Sequence, residues 1–140
     1  MIIGYTTGVF DLFHIGHLNI LKNSKSLCDK LIVGCTTDEV VFENKNKTPI
    51  VPFHERVEIL ESINYVDLVV AQDHDLYKDK MAAWNNYKFN IMFVGSDWKN
   101  TTKWVDLEKE LALKEVKVVY FPYTKSTSST IITEVLNNFK

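Results

Sequence analysis

The sequence predicts an α/β protein, a doubly wound five-stranded parallel sheet in a single domain spanning residues 1–140. Three observations predict it. Five short apolar runs recur along the chain, each near-continuous rather than alternating, as strands buried on both faces are. A helical pattern or a turn-rich segment separates each run from the next. The 140 residues, 46% hydrophobic and 24% charged, are one domain's worth of chain, with no linker, internal repeat or low-complexity tract. Right-handed crossovers then place helices on both faces, giving a Rossmann-like architecture.

The elements follow in order. Ile2–Thr6 reads as a short buried strand ending at Thr7-Gly8, and Ile15, Leu18, Leu21 and Leu27 set a helix over Ile15–Leu27. Lys30–Cys35 is a second strand, and Asp38-Glu39 begins a short turn or helix running into Phe42. Glu43–Thr48 is polar and aperiodic, a surface loop bounded by Pro49 and Pro52. Pro52 suits a first helical turn, and Val57, Ile59, Leu60 and Ile63 give that helix its apolar face. Val66–Ala71 is the third strand, Leu76–Tyr87 a helix, and Asn90–Val94 a fourth strand closing at Gly95. Val105–Lys114 is helical, Val116–Phe121 is the fifth strand, and Ser129–Phe139 is a last helix. Ligands of such sheets sit beyond the carboxyl ends of the strands. Attention therefore falls on Thr7–His17, Thr36–Asp38, Gly95–Trp98 and Pro122–Ser129.

Composition removes several classes. Sixteen Lys+Arg against eighteen Asp+Glu leave a net charge of -2, unlike the strong positive charge of a protein that wraps nucleic acid. Trp84, Trp98 and Trp104 are not interleaved with basic residues, so no stacking platform for single strands is expected. No apolar stretch approaches the ~20 residues that cross a bilayer. Met1–Tyr5 lacks the basic start of a signal peptide. Cys28 and Cys35 sit in apolar contexts and read as buried free thiols of a reducing compartment. A soluble, cytoplasmic protein is expected.

The segment richest in chemistry is Gly8-Val9-Phe10-Asp11-Leu12-Phe13-His14-Ile15-Gly16-His17, joining the first strand to the first helix. His14 and His17 lie three apart at the helix start, so both imidazoles can point the same way. Gly16 removes a side chain where a ligand must approach the backbone. A helix N-terminus offers unpaired N–H groups and a positive dipole end to a phosphate. Two histidines there can donate to phosphate oxygens and stabilise charge developing on them. A metal reading would need a third ligand, and no Cys or His lies nearby in sequence.

Gly8-x-Phe10-Asp11-x-x-His14-x-Gly16-His17 resembles the nucleotidyltransferases with the H-x-G-H motif, and within them the small cytidylyltransferases that activate phospho-alcohols. The likeness extends along the chain. Thr36-Thr37-Asp38-Glu39 resembles the segment after that family's second strand, Arg56 the arginine of its R-x-x-I-[IL] segment, and Gly95-Ser96-Asp97-Trp98 its G-x-D-W. The bacterial glycerol-3-phosphate branch is the most similar. This resemblance implies a direct displacement: an acceptor phosphate attacks the α-phosphorus of CTP, pyrophosphate leaves, and Mg²⁺ assists. The leading acceptor it implies is glycerol 3-phosphate, giving CDP-glycerol for a cell-surface polymer, with ethanolamine, choline or another polyol phosphate as the alternatives. A homodimer is also implied, with no nucleic-acid partner.

Site roles follow from the same resemblance. His14 and His17 would hold the α- and β-phosphates, Arg56 would pair with phosphates as a fork, and Lys45 and Lys47 would close over the triphosphate. Thr7, Gly8, Phe10, Asp11, Gly16, Gly95, Asp97 and Trp98 would surround the nucleotide, with Thr124, Thr127, Ser128 and Ser129 donating to its β- and γ-phosphates. Asp38, Tyr77 and Lys80 would meet the acceptor. Asp11 either orients His14 or helps to hold the metal, or else caps the helix; Asp38 carries a similar choice. Where the family reads R-T-E-G-I-S-T, this chain has Tyr123-Thr124-Lys125-Ser126-Thr127-Ser128-Ser129, so Tyr123 replaces a phosphate-contacting arginine and Lys125 can restore the charge.

Two other readings remain. One keeps the fold and uses ATP, acting on a phosphorylated acceptor such as FMN or a heptose phosphate. The other is a nucleotide-binding module without catalysis. No P-loop or dinucleotide fingerprint is present.

Overall fold

The fold is described from a computed structural model, for residues 1–122 and 129–138, the side chains of 129–131 excepted. Strands β1 (Ile3–Gly8), β2 (Lys30–Thr36), β3 (Leu68–Gln72), β4 (Ile91–Gly95) and β5 (Lys117–Phe121) form one sheet in the order β3-β2-β1-β4-β5. Every pairing is parallel. The winding direction reverses at β1, whose neighbours are β2 and β4. The carboxyl ends of β1 and β4 therefore form the crevice where such sheets bind ligands.

Alternation along each strand sends successive side chains to opposite faces and builds two cores. Tyr5, Ile32 and Met92, aligned across the central strands, pack with Leu76, Ala83, Phe89, Trp104, Leu107 and Leu111. Leu31, Val33 and Phe93 point the other way, onto Phe10, Leu21 and Leu60. Gly4 is required by this packing, since a Cβ there would lie 2.6 Å from the Phe93 ring and 2.8 Å from Cys28 Sγ. Both cysteines are free, Cys35 buried and Cys28 half-buried.

The helices are α1 (Ile15–Lys25), α2 (Asp38–Lys45), α3 (Phe53–Glu61), α4 (His74–Lys78), α5 (Lys80–Tyr87), α6 (Thr102–Ala112) and α7 (Ser129–Asn137), with a 3-10 turn at Ser96–Trp98. The expected helix over 76–87 is two helices. Asp79 takes extended geometry (φ -126°, ψ 101°), and its Oδ1 accepts from Met81 N (2.9 Å) and Ala82 N (3.2 Å), starting α5 afresh. Asp73 caps α4 in the same way, accepting from Leu76 N at 3.0 Å. α2 also runs past Phe42, through the first half of the expected loop, until Asn46 adopts left-handed geometry (φ 52°) and ends it. Lys45 thus stands on the last turn of a helix. No helix of the described residues is long and apolar enough to cross a membrane.

Candidate active site

β1 delivers the chain to a turn in which Phe10 (φ 55°) and Leu12 (φ 50°) are left-handed, a conformation that non-glycine residues adopt at a cost. The turn is held because Phe10 is buried and Asp11 is tied down. Asp11 Oδ1 accepts from Leu12 N (3.1 Å) and Val51 N (2.8 Å), and its Oδ2 accepts from Ile50 N (2.8 Å). Asp11 therefore anchors the segment after α2 to the first motif. The cap of α1 is instead His14, and the two histidines form a reciprocal pair.

In that pair, Gly16 N donates to His14 Nδ1 (3.0 Å) and His14 N donates to His17 Nδ1 (3.2 Å). Each Nδ1 is thereby an acceptor, so each neutral ring carries its proton on Nε2. The rings stack at 4.0 Å, with the Phe10 ring edge-on to His17 at 5.4 Å. Burial pushes the His17 pKa down to about 4, helped by His14 beside it and opposed by Asp11. Burial also lowers the His14 pKa. Two uncharged Nε2–H donors, locked by backbone bonds at a helix start, suit phosphate oxygens on which charge increases.

They open onto a cavity of about 890 Å³, ample for a nucleotide-sized ligand. Thr7, Gly8, Phe10, Asp11, His14, Gly16 and His17 line it from the first motif. Lys45 and Lys47 come from the end of α2 and beyond, Tyr77 and Lys80 from α4 and α5, and Gly95 and Trp98 from the end of β4. With Lys103, four lysines face it against one carboxylate, Asp11, among the described lining residues. A chain of net charge -2 thus presents a locally positive cleft. Lys80 is 8% exposed, with its ammonium 5.3 Å from the Tyr77 ring. Burial, and then Lys103, push its pKa down to about 8. An anion bound beside it would offset both effects by favouring the charged ammonium.

The family model for cytidylyltransferase-like proteins matches residues 5–135. The chain belongs to the cytidylyltransferase-like family. It is 34% identical to glycerol-3-phosphate cytidylyltransferase of Bacillus spizizenii, over 91% of each chain. It is 31% identical to FAD synthase of Thermococcus sibiricus, over 96% of this chain and 92% of that one. Among solved structures, the lipopolysaccharide core biosynthesis protein of Thermoplasma volcanium superposes with a TM-score of 0.72 at 29% identity, covering 91% of this chain and 99% of that one.

In this cytidylyltransferase-like protein Arg56, expected as a phosphate fork, is held by Asp38 and backbone carbonyls at the base of the site. Its side chain is buried and does not line the cavity. Nε donates to Val51 O (2.9 Å), Nη1 to Val9 O (2.7 Å) and Thr36 O (2.8 Å), and Nη2 to Asp38 Oδ1 (2.6 Å). The guanidinium thus ties together the ends of β1 and β2 and the start of α3. Asp38, expected to meet the acceptor, is also outside the lining: it pairs with Arg56 and accepts from Phe53 N at 3.2 Å. Asp97 lies in the 3-10 turn and is not among the residues lining the cavity, whereas Trp98 lines it and is half exposed. Thr124, Thr127 and Ser128 lie outside the described residues, and Ser129 is described only as the first residue of α7.

The cavity adds Gln72, Lys103, Trp104 and Thr133, which sequence reasoning missed, and includes Thr36, one of the strand ends it singled out. Gln72 ends β3 as Thr36 ends β2, so the strand-end rule applied to β3 as well is the signal that could have found it. Among the described residues no three His, Cys, Asp or Glu group as a metal site, and the Asp11 oxygens already accept three backbone bonds.

Proposed function

We propose that this protein transfers CMP from CTP to a small phosphorylated alcohol, with glycerol 3-phosphate the leading candidate, and releases pyrophosphate. One observation carries the reading: a single cavity joins two independent anion-holding groups, the His14–His17 pair and buried Lys80 beside Lys103. One suits a nucleotide triphosphate and the other a phosphorylated acceptor.

The acceptor phosphate, with a second pKa of ~6, is already a nucleophile near neutral pH. Its oxygen forms a bond to the α-phosphorus while the bond to the bridging oxygen of the β-phosphate breaks, and the electron pair leaves with pyrophosphate. No protein nucleophile is needed. His14 and His17 donate to the phosphates, while Lys45 and Lys47 neutralise them, so catalysis is alignment and charge stabilisation. Mg²⁺, when bound, would be held largely by the triphosphate oxygens and would supply further charge neutralisation there. We place the reaction in the cytoplasm, with the protein acting as a homodimer.

The FAD synthase relative favours a second reading, ATP with FMN as acceptor. Pyrophosphate release with CTP or ATP against glycerol 3-phosphate, phosphoethanolamine, phosphocholine, ribitol phosphate and FMN tests both. Release with CTP and glycerol 3-phosphate is expected. Release only with ATP and FMN transfers the protein to the adenylyl branch. CTP binding without release for any acceptor would make it a nucleotide-binding module.

A further inference from the structure

We propose that Gln72 reads a hydroxyl group of the acceptor, and so selects a phosphorylated polyol over an amino-alcohol phosphate or a simple alkyl phosphate. This inference rests on the proposed function. Gln72 ends β3, is 1% exposed, and lines the same cavity as Lys80. Its Oε1 accepts from Thr36 Oγ1 at 2.7 Å, which orients the amide. Its Nε2, a double donor, is buried without a partner among the described residues. Buried amide donors are as a rule paired, so this one is available to an acceptor atom of a bound ligand.

A second orphan lies on the same face of the sheet. Tyr5 is fully buried, and its hydroxyl also has no partner among the described residues. That face is kept open by Gly34, where a Cβ would stand 3.0 Å from the Tyr5 hydroxyl and 3.0 Å from Cγ2 of the cavity-lining Thr7. The sheet face carrying Gln72 is therefore more polar than a core needs, beside a lysine suited to phosphate.

Charge decides which polar acceptor fits. An ethanolamine or choline head would bring a cation toward Lys80 and Lys103. Asp11, the one carboxylate among the described lining residues, is already engaged by Leu12, Ile50 and Val51. Asp73, the next residue after Gln72, is turned to cap α4. A polyol hydroxyl, neutral and able to accept from Nε2, matches both the orphan donor and the positive field.

The test measures kcat/KM with CTP for glycerol 3-phosphate and its two deoxy analogues, 3-hydroxypropyl phosphate and 2-hydroxypropyl phosphate, in the wild type and in Gln72→Met. The wild type is expected to lose about 10- to 100-fold on at least one analogue, and Gln72→Met to shrink that preference below about threefold while KM for CTP holds. Turnover of all three acceptors at equal efficiency by the wild type overturns the proposal without any variant, so misfolding of Gln72→Met does not remove the test. An undiminished preference in a folded Gln72→Met also overturns it. In either case the proposed function stands. Silence with CTP and every phospho-alcohol overturns both.

Discussion

Replacing His17 by Asn separates the two jobs of that residue. An Asn side-chain oxygen reaches the position of Nδ1 and can still accept from His14 N, which His17 now holds at 3.2 Å. Nothing then stands where Nε2–H stood. Removing one preorganised donor of this kind lowers kcat by about 10²–10³, and the helix cap should survive. The same variant tests the charge state of the ring. His17 titrates at about 4 in the folded protein against 6.5 in the unfolded chain, so acid protonates the unfolded chain first. Its contribution to stability is whole above pH 6.5 and is lost as pH falls from there toward about 4. At 1.36 kcal/mol per unit, the loss is about 3 kcal/mol. Urea unfolding followed by tryptophan fluorescence at a series of pH values reads the wild-type slope, and His17→Asn should flatten it by that amount. Parallel slopes for the two proteins would refute the buried neutral imidazole. Turnover of the variant within a few-fold of wild type would refute the donor role.

Two further perturbations probe the scaffold of the site. Arg56→Ala removes a buried cation held by Asp38 and three carbonyls and should cost about 3–5 kcal/mol of stability, with Arg56→Lys recovering only part because it lacks the planar fork. An unchanged urea midpoint in Arg56→Ala would contradict the strut role. Asp11→Ala strips the acceptor from the N–H groups of Ile50 and Val51, so trypsin should cut faster at Lys45 and Lys47, and KM for CTP should rise about tenfold. Equal digestion rates and an equal KM would show that the anchor does not shape the cavity.

The frame of this protein is legible in its sequence because strands buried on both faces need continuous apolar runs, and Tyr5, Val33 and Phe93 sit in such runs. The site's position is legible for the same reason, since the strand-end rule and the His14–Gly16–His17 spacing point to one helix start. Helix boundaries were less so: Asp79 breaks a helical pattern through a side-chain cap that apolar periodicity does not register. Arg56 shows where local reading stops. A guanidinium in a motif serves phosphate or carbonyls depending on what converges on it, and Val9 O comes from 47 residues away. Gln72 and Lys103 carry no motif, and they join Lys80 in one cavity only because the fold brings the end of β3, α5 and α6 around it. Periodicity reports which face of an element is buried. The partners that a polar side chain finds at the end of a strand are set by segments distant in the chain, and only the tertiary structure brings those together.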